Sequence, residues 1–293
     1  MGSGSFSRSA YADYSLNVSG SSRDEVFTRR TIYTKLDPNN MGVRESRDSA
    51  DHPESTPIIV LTDVTGSMGS VPHELIKNGV GRLIDGLFET LPVKDPQILF
   101  GGIGDIDCDR APLQVTQFES DNRMVEQLAD VYLEGRGGGN DSESYDLAWY
   151  FAAYHTSTDS FNKRGKKGYL FTTGDEMFPR GFSQSQLRTV FGTDETISKS
   201  NMTADEALAA AQESWEVFHL IIEQGSYFRQ HRNSVTIDWR EHMGRRAILV
   251  DNHEFLPEVI TAILRVSEGE NPETVLNDVP SKAVATVRHA LFD

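Results

Sequence analysis

Cysteine is almost absent from this sequence, since Cys108 is the only one among 293 residues. A single cysteine cannot form a disulfide within the chain, and it cannot supply the cysteine cluster of a structural zinc site. The eight histidines are scattered and none forms an HxxxH pair. The composition therefore predicts a protein of a reducing compartment, the cytoplasm, without a thiol-based or histidine-based zinc site.

Long apolar runs and an excess of positive charge are also missing. No stretch approaches the ~20 consecutive apolar residues of a transmembrane helix. The segment MGSGSFSRSAYADYS has no apolar core, so we expect no secretory signal. The net charge of −16 opposes binding to a nucleic-acid backbone or to an anionic membrane. We therefore expect a soluble protein with partners of neither kind.

Three regions are predicted along the chain. Residues 1–56 are rich in Ser, Asp, Arg and Asn and are expected to form a polar N-terminal arm. Within the arm, EVFTRRTIYTKL (25–36) suggests a strand or one side of a hairpin, and GVRESRDSADHPEST (42–56) is typical of a solvated linker. Residues 57–268 are predicted to form the main domain, and residues 269–293 a short helical tail.

Apolar runs and segments of helical periodicity alternate from Pro57 onward. The predicted strands are PIIVLTD, QILFGGIGD, LQVTQFES, GYLFTTGD, EVFHLIIE and RAILVD. Helices are predicted between them and at the end, from PHELIKNGVGRLIDGLFETL to EFLPEVITAILRVSE. Thr203 and Glu206 form a capping-box pattern at the start of TADEALAAAQESW. The alternation predicts an α/β fold with a doubly wound, mostly parallel central sheet, Rossmann-like, with helices on both faces.

Polar loops follow the strands of such a sheet at the edge where its ligands bind. DVTGSMG follows the first predicted strand directly, so the oxygens of Asp63, Thr65 and Ser67 can converge in a turning loop. Hard divalent cations such as Mg²⁺ prefer about six oxygen ligands at ~2.1 Å. The first loop alone therefore predicts part of a cation site.

Two further loops can add oxygens to this site. GRGGGNDSES precedes a predicted helix and offers Glu143 as its strongest candidate ligand, with Asn140 and Ser142 as weaker ones. TTGDE follows a later strand and offers Asp175, which would complete the shell directly or through water.

DVTGSM resembles the Asp-x-Ser/Thr-x-Ser signature of the von Willebrand factor A (VWA) family and its metal-ion-dependent adhesion site (MIDAS). The segments GGG…ES…LA and LFTTGDE resemble the second and third metal loops of that family, in the right order, so that the resemblance covers residues 57–268. It implies that Asp63, Thr65 and Ser67 contact the metal. It also implies that Glu143 matches the acidic second-loop ligand of some branches, such as integrin β-type domains.

The sequence departs from the family pattern in two loops. The third loop of the family reads Thr-Asp-Gly, whereas this chain reads Thr172-Thr173-Gly174-Asp175, which shifts Asp175 by two positions. The usual threonine of the second loop is absent. With Glu143 and both aspartates bound, three carboxylates would face one 2+ ion and weaken its attraction for an acidic ligand.

The resemblance implies a protein that is not an enzyme and that binds a partner protein through Mg²⁺, Mn²⁺ or Ca²⁺. A partner Asp or Glu would take the open position of the metal shell. Bacterial and phage members of the family often act as adaptors, for example beside MoxR-type AAA+ ATPases, so such an ATPase is one expected partner. The second hypothesis is a component of a larger assembly, in which the arm 1–56 links one subunit to another.

An enzymatic alternative arises because DVTGS also resembles the Asp-x-Thr-Gly-Thr phosphorylation loop of P-type ATPases and of haloacid-dehalogenase-like, Mg²⁺-dependent phosphatases. In that class the Thr-Gly-Asp motif precedes Gly-Asp-Gly-x-Asn-Asp, whereas here GGGND comes before TTGDE, and Gly138 stands where the metal-binding aspartate belongs. A nucleophilic Ser67 would require Gly-x-Ser-x-Gly, but Thr65 occupies the first glycine position.

Simpler structural interpretations also remain open. Asp63, Thr65 and Ser67 could cap the helix that follows, and Glu143 could lie in a first helical turn and interact with the helix dipole. GDIDCD spaces Asp105, Asp107 and Asp109 like an EF-hand, but its loop lacks glycine at the sixth and glutamate at the twelfth position.

Overall fold

A computed structural model describes residues 25, 27–39, 41–75, 79–90, 92–121, 123–133, 142–192 and 201–293. The strands in these ranges are β1 (Arg44–Ser46), β2 (Thr56–Asp63), β3 (Pro96–Ile103), β4 (Leu113–Val115), β5 (Thr156–Thr158), β6 (Gly168–Gly174), β7 (Phe182–Ser183), β8 (Asn201–Met202), β9 (Trp215–Ile222) and β10 (Ala247–Val250). The helices are α1 (Val71–Glu74), α2 (Val80–Thr90), α3 (Arg123–Leu128), α4 (Tyr145–Tyr154), α5 (Asp159–Arg164), α6 (Gln184–Phe191), α7 (Ala204–Ser214), α8 (Ser226–Met243), α9 (Leu256–Ser267), α10 (Pro272–Asp278) and α11 (Val284–Phe292). None of the helices in these ranges is long and apolar enough to cross a bilayer.

The central sheet contains six strands in the order β10-β9-β6-β2-β3-β4. Its neighbouring strands are parallel, except that β4 pairs antiparallel with β3. The chain enters the sheet at β2, adds β3 and β4 on one side, and then crosses to β6 on the other side of β2. The predicted α/β fold with a doubly wound, mostly parallel sheet is confirmed, and its strand order reverses at β2.

Both faces of the sheet are covered by helices. Ile58 and Val60 of β2 belong to a core cluster with α2, α9 and α11, whereas Ile59 and Leu61 point into a second cluster with α4, α6, α7 and α8. All four side chains are at most 1 % exposed. Burial on both faces explains why this strand is a continuous apolar run without alternation.

Several predicted elements differ in extent from the observed ones. The strand predicted over LQVTQFES ends at Val115, because the N–H of Phe100 donates to the hydroxyl of Thr116 and not to a backbone carbonyl. The tail holds two helices, α10 and α11, where one was predicted. The long helix predicted after β2 is described as α1 and α2, and residues 76–78 between them lie outside the described residues.

The helix α8 was not predicted. It has 18 residues and a mostly polar sequence, SYFRQHRNSVTIDWREHM. Its buried side chains are Phe228, Val235, Trp239 and Met243, and His231 has non-helical φ and ψ of −125° and 22° inside the helix. The polar residues His231 and Arg232 stand three and four positions after Phe228, where an apolar stripe would continue, so the amphipathic pattern is incomplete in the sequence.

The arm packs against the domain, and the predicted solvated linker is wrong for its central residues. Arg44–Ser46 form β1, which pairs in parallel with β5. Ser46 is fully buried and donates a 2.8 Å hydrogen bond to the side-chain oxygen of Gln97. The described residues of EVFTRRTIYTKL form bends and turns, so the strand or hairpin suggested there is also wrong for residues 27–36.

Asp48 ties the arm to α5. Its carboxylate accepts hydrogen bonds from the N–H and hydroxyl of Ser55, and it forms a 2.7 Å ion pair with Arg164. Burial acts to raise the pKa of Asp48, but these hydrogen bonds and the guanidinium outweigh it and hold the pKa well below its usual value. The ionised carboxylate therefore stabilises the folded chain.

We expect Asp48→Asn to lower the free energy of unfolding at neutral pH by about 1–3 kcal/mol, because it leaves Arg164 without its carboxylate. Because the folded-state pKa is depressed, the contribution of Asp48 is fully present above the unfolded pKa of 3.8. It starts to decline as the pH falls below 3.8 and is lost completely only below the folded-state pKa, so a partial decline is expected near pH 3. Urea unfolding at neutral pH and near pH 3 measures both effects. Asp51→Asn, at an exposed neighbouring aspartate, is the matched control, and equal losses in the two variants would contradict the prediction.

Candidate metal centre

Asp63 and Asp175 lie side by side at the carboxyl edge of the sheet. Asp63 is the last residue of β2, and Asp175 follows the last residue of β6. The two strands are paired, with Thr62 opposite Thr173, so the aspartates stand at neighbouring strand ends. This position is the point at which the strand order reverses, where open α/β sheets bind their ligands.

The first loop connects these aspartates through two hydroxyl groups. Asp63 Oδ1 accepts hydrogen bonds from the N–H of Thr65 at 2.8 Å and from its hydroxyl at 2.6 Å. The hydroxyl of Ser67 donates to Asp175 Oδ1 at 2.6 Å. The oxygens Thr65 Oγ1 and Ser67 Oγ lie 3.4 Å apart. Each hydroxyl thus donates a hydrogen bond to a carboxylate and keeps its lone pairs for a further contact.

The start of α8 holds the second half of this site. The N–H of Tyr227 donates to Asp175 Oδ2 at 2.9 Å, and the N–H of Ser226 donates to the carbonyl oxygen of Ser67 at 3.0 Å. A Cβ on Gly225 would lie 2.1 Å from Asp175 Oδ2, so only glycine permits this close approach. Sequence reasoning missed these three residues, since their relation to Asp175 depends on an unpredicted helix.

The two aspartates are buried together, with 0 % exposure each. Burial, followed by the charge of Asp175, raises the pKa of Asp63 to about 7, although the bonds from Thr65 and Tyr145 oppose this rise. Burial also raises the pKa of Asp175. Two buried carboxylates at adjacent strand ends are unfavourable unless a proton or a cation neutralises them.

Glu143 and Glu176 extend this negative region. Glu143 is 2 % exposed and Glu176 is 6 % exposed, and the Oε2 atom of each is buried without a hydrogen-bond partner. Burial and then the charge of Asp63 raise the pKa of Glu143 to about 10 and that of Glu176 to about 8. Sequence reasoning selected Glu143 but missed Glu176, although TTGDE showed two adjacent carboxylates after a strand.

A hard divalent cation, which the VWA resemblance implies, fits this donor set. Two carboxylates and two hydroxyls form a continuous chain of contacts, from Asp63 through Thr65 and Ser67 to Asp175. The 3.4 Å between the hydroxyl oxygens is close to the ~3.0 Å edge of an octahedron with ~2.1 Å metal–oxygen bonds. Glu143 and Glu176, whose Oε2 atoms have no hydrogen-bond partner, add negative charge beside these ligands. Within the described ranges, no three His, Cys, Asp or Glu side chains are grouped closely enough to hold a metal, so the hydroxyls of Thr65 and Ser67 are needed. Ligation by Glu143 remains a prediction, and Asn140 lies outside the described residues.

The simpler structural interpretations can be compared with this geometry. The helix after the first loop, α1, has Ser70 at its N-cap without a side-chain capping bond, so Asp63, Thr65 and Ser67 do not cap it. Glu143 precedes the N-cap Ser144 of α4, and it is therefore not a first-turn residue. The capping interpretation of the first loop and the first-turn interpretation of Glu143 are both wrong.

The EF-hand-like segment forms a turn next to the centre. Asp105 Oδ1 accepts the N–H of Asp107, and Asp109 Oδ2 accepts the N–H of Asp105. After burial and the charges of Asp63 and Glu176, the negative charges of Asp109 and Asp105 also help to raise the pKa of Glu143. They contribute to the negative field of the centre.

Comparison with known proteins gives structural likenesses only. No protein-family model matches the chain, and no curated protein matches it. The chain is similar to the pilus adhesin SpaC from Lactobacillus rhamnosus GG in its open conformation, with 11 % identity and a TM-score of 0.43, over 79 % of this chain and 31 % of that one. It is similar to proximal thread matrix protein 1 from the mussel byssus, with 13 % identity and a TM-score of 0.44, over 76 % and 49 %.

A third similar structure is a von Willebrand factor type A protein from Catenulispora acidiphila, with 12 % identity and a TM-score of 0.35, over 74 % of this chain and 44 % of that one. The chain thus spans between 31 % and 49 % of the length of these three structures. At such identities the likeness concerns the backbone arrangement and assigns no role to any residue.

Proposed function

We propose that this chain is a protein-recognition module of VWA type whose binding depends on a divalent cation. The observation that supports the proposal best is the junction of Asp63, Thr65, Ser67 and Asp175 at the reversal point of the sheet. Two buried aspartates share this junction with two hydroxyls, each of which donates a hydrogen bond to one of the carboxylates and keeps its lone pairs for a cation.

The residues of the junction have separate tasks in this proposal. Asp63 and Asp175 supply the negative charge that holds Mg²⁺, or Mn²⁺ or Ca²⁺ in its place. Thr65 and Ser67 supply neutral oxygens, which leave part of the positive charge of the ion for an external ligand. Ser67 is half-buried and Gly66 is exposed, so the solvent side of the centre is at these two residues. The bound cation would attract a carboxylate of a partner protein at that side.

A binding function is favoured over the phosphatase alternative by the surroundings of Asp63. Its Oδ1 is engaged by Thr65, and its Oδ2 accepts a 3.3 Å hydrogen bond from the hydroxyl of Tyr145. Attack on a phosphoryl group needs room for the substrate beside the carboxylate, and Asp63 is 0 % exposed. A cation is small and needs only a lone pair that these hydrogen bonds leave unused. We therefore propose a non-enzymatic role, and we expect no release of phosphate from a generic aryl phosphate in the presence of Mg²⁺.

The proposed partner presents an Asp or Glu side chain, and an AAA+ ATPase or a subunit of an assembly would qualify. The described residues of the arm pack on their own domain through β1 and Asp48. This packing favours an adaptor over a subunit that uses the central part of its arm to reach a neighbour.

We expect a partner to be captured from a cytoplasmic lysate only when Mg²⁺ and Asp63 are both present. The comparison uses the wild-type chain with Mg²⁺, the same chain with chelator, and Asp63→Ala with Mg²⁺, because each of the last two removes the ion from the junction. Asp51→Ala, at an exposed aspartate, is the matched control and should behave like wild type. Capture of the same partner under every condition would refute a cation-dependent recognition site.

A further inference from the structure

Arg44 of β1 is a nearly buried cation without a carboxylate partner in the described part of the chain. Arg44 is only 8 % exposed to solvent. Nη2 donates a 2.7 Å hydrogen bond to the carbonyl oxygen of Lys35, whereas Nε is buried without an acceptor. Burial alone lowers the pKa of Arg44 to about 10, with no opposing contribution from a nearby carboxylate.

Two other arginines in the described ranges, Arg265 and Arg47, are neutralised by carboxylates. Arg265 is 7 % exposed and forms ion pairs with Glu270 and Asp278 at 2.6 and 2.7 Å. Arg47, three residues after Arg44 on the arm, pairs with Glu45 and Asp159. A guanidinium removed from water without such a partner destabilises the fold. The buried charge of Arg44 therefore destabilises the folded chain, and the hydrogen bond from Arg44 to the carbonyl oxygen of Lys35 does not offset this loss of hydration.

A cleft of about 650 Å³ lies beside Arg44. The arm forms one wall, and the sheet edge and α3 form the other; the lining includes Tyr33, Lys35, Gln117 and Gln127. The volume falls within the ~300–1,000 Å³ of typical small-molecule sites. None of its lining residues belongs to the candidate metal centre.

Of the two acidic side chains of the cleft, Asp130 is neutralised by Arg29, whereas Asp37 keeps its negative charge and leaves the lining one positive charge in excess. Asp130 accepts two hydrogen bonds from Arg29, at 2.8 and 2.5 Å, and Asp37 Oδ1 accepts the N–H of Asn39. Lys35 and Arg44 remain as cations on the lining. In a chain of net charge −16, this cleft is locally suited to a negative ligand.

We propose that the cleft between the arm and the sheet edge binds a small molecule through an oxyanion, a carboxylate or a phosphate, paired with Arg44. The planar guanidinium matches both groups. Lys35 adds a second charge, and the side-chain amide of Gln117 supplies a polar contact. The bound oxyanion neutralises Arg44 in the same way as Glu270 and Asp278 neutralise Arg265.

Thermal unfolding of the full chain in sodium phosphate, sodium succinate and sodium chloride at matched ionic strength tests this site. Phosphate or succinate should raise the Tm above the value in chloride. The anion that raises the Tm more shows whether the site prefers a phosphate or a carboxylate. Arg44→Met keeps the length of the side chain but not its charge, and should weaken the apparent affinity for that anion at least tenfold. Arg44→Lys should keep part of the response, and Arg188→Met, at an exposed arginine of α6, should keep all of it.

The ligand-free proteins give a second measurement. Because an unpaired buried charge is replaced by an apolar chain, Arg44→Met should unfold at the same Tm as wild type in chloride, or at a higher one. A purely structural Arg44 would instead make this variant less stable. The proposal is overturned if wild type responds to neither anion, or if Arg44→Met responds as wild type does.

Discussion

Asp63→Asn should abolish the response of this protein to Mg²⁺ while leaving the metal-free chain at least as stable as wild type. Asparagine keeps an oxygen to accept the N–H and hydroxyl of Thr65, but it removes one of two buried carboxylates at adjacent strand ends. The repulsion from Asp175 disappears, and with it much of the attraction for a cation. When a substitution increases stability and abolishes ligand binding, the replaced residue serves binding and not folding.

The measurement is thermal unfolding with chelator and with saturating Mg²⁺. A ligand at a hundred times its Kd stabilises the folded state by about 2.7 kcal/mol, so the wild-type Tm should rise by several degrees. Asp63→Asn should show no rise, and Asp51→Asn should match wild type. If Asp63→Asn retained the full rise, the cation would bind elsewhere and the junction of Asp63 and Asp175 would not be its site.

Gly225→Ala should weaken Mg²⁺ binding at least tenfold although it removes no oxygen from the centre. The added Cβ would lie 2.1 Å from Oδ2 and 2.3 Å from Cγ of Asp175, so the carboxylate must move. Gly225 has φ of −61° and ψ of 148°, which alanine adopts freely, and the effect is therefore steric. Overpacking of this kind also costs about 1–3 kcal/mol of stability.

Isothermal titration with Mg²⁺ measures the loss of affinity, and Gly165→Ala is the matched control. Gly165 has φ of 65° and no atom within 4 Å of an added Cβ, so its replacement costs about 1–2 kcal/mol of stability by backbone strain alone. That variant should bind Mg²⁺ like wild type. Unchanged binding in Gly225→Ala would mean that the position of Asp175 is irrelevant to the cation.

The sequence was sufficient for the parts of the fold and site that depend on local pattern. β2, β6 and β9 are rich in apolar residues without alternation, so their burial on both faces and the parallel sheet could be predicted. Asp63, Thr65 and Ser67 follow the apolar run of β2 directly. Asp175 could be placed with them because parallel strands end at one edge of a sheet, even though its loop departs from the VWA pattern.

The missed parts depend on contacts between distant segments. β1 has the sequence RES, which carries no strand pattern, and it is a strand only because β5 pairs with it. The support of Asp175 by Tyr227 requires α8, whose apolar stripe is interrupted at His231. The cleft beside Arg44 has walls from the arm and from α3, and no local pattern joins these segments.

The pairing of β1 with β5 has a practical consequence for expression of shorter fragments. A fragment that starts at Pro57 loses Arg44–Ser46 and leaves the backbone groups of Thr156–Thr158 without their parallel partner. It also deprives Arg164 of Asp48. An open strand edge is a template for association with other chains. Self-association of such a fragment would therefore report a new edge, and a fragment intended to remain monomeric should begin before Val43.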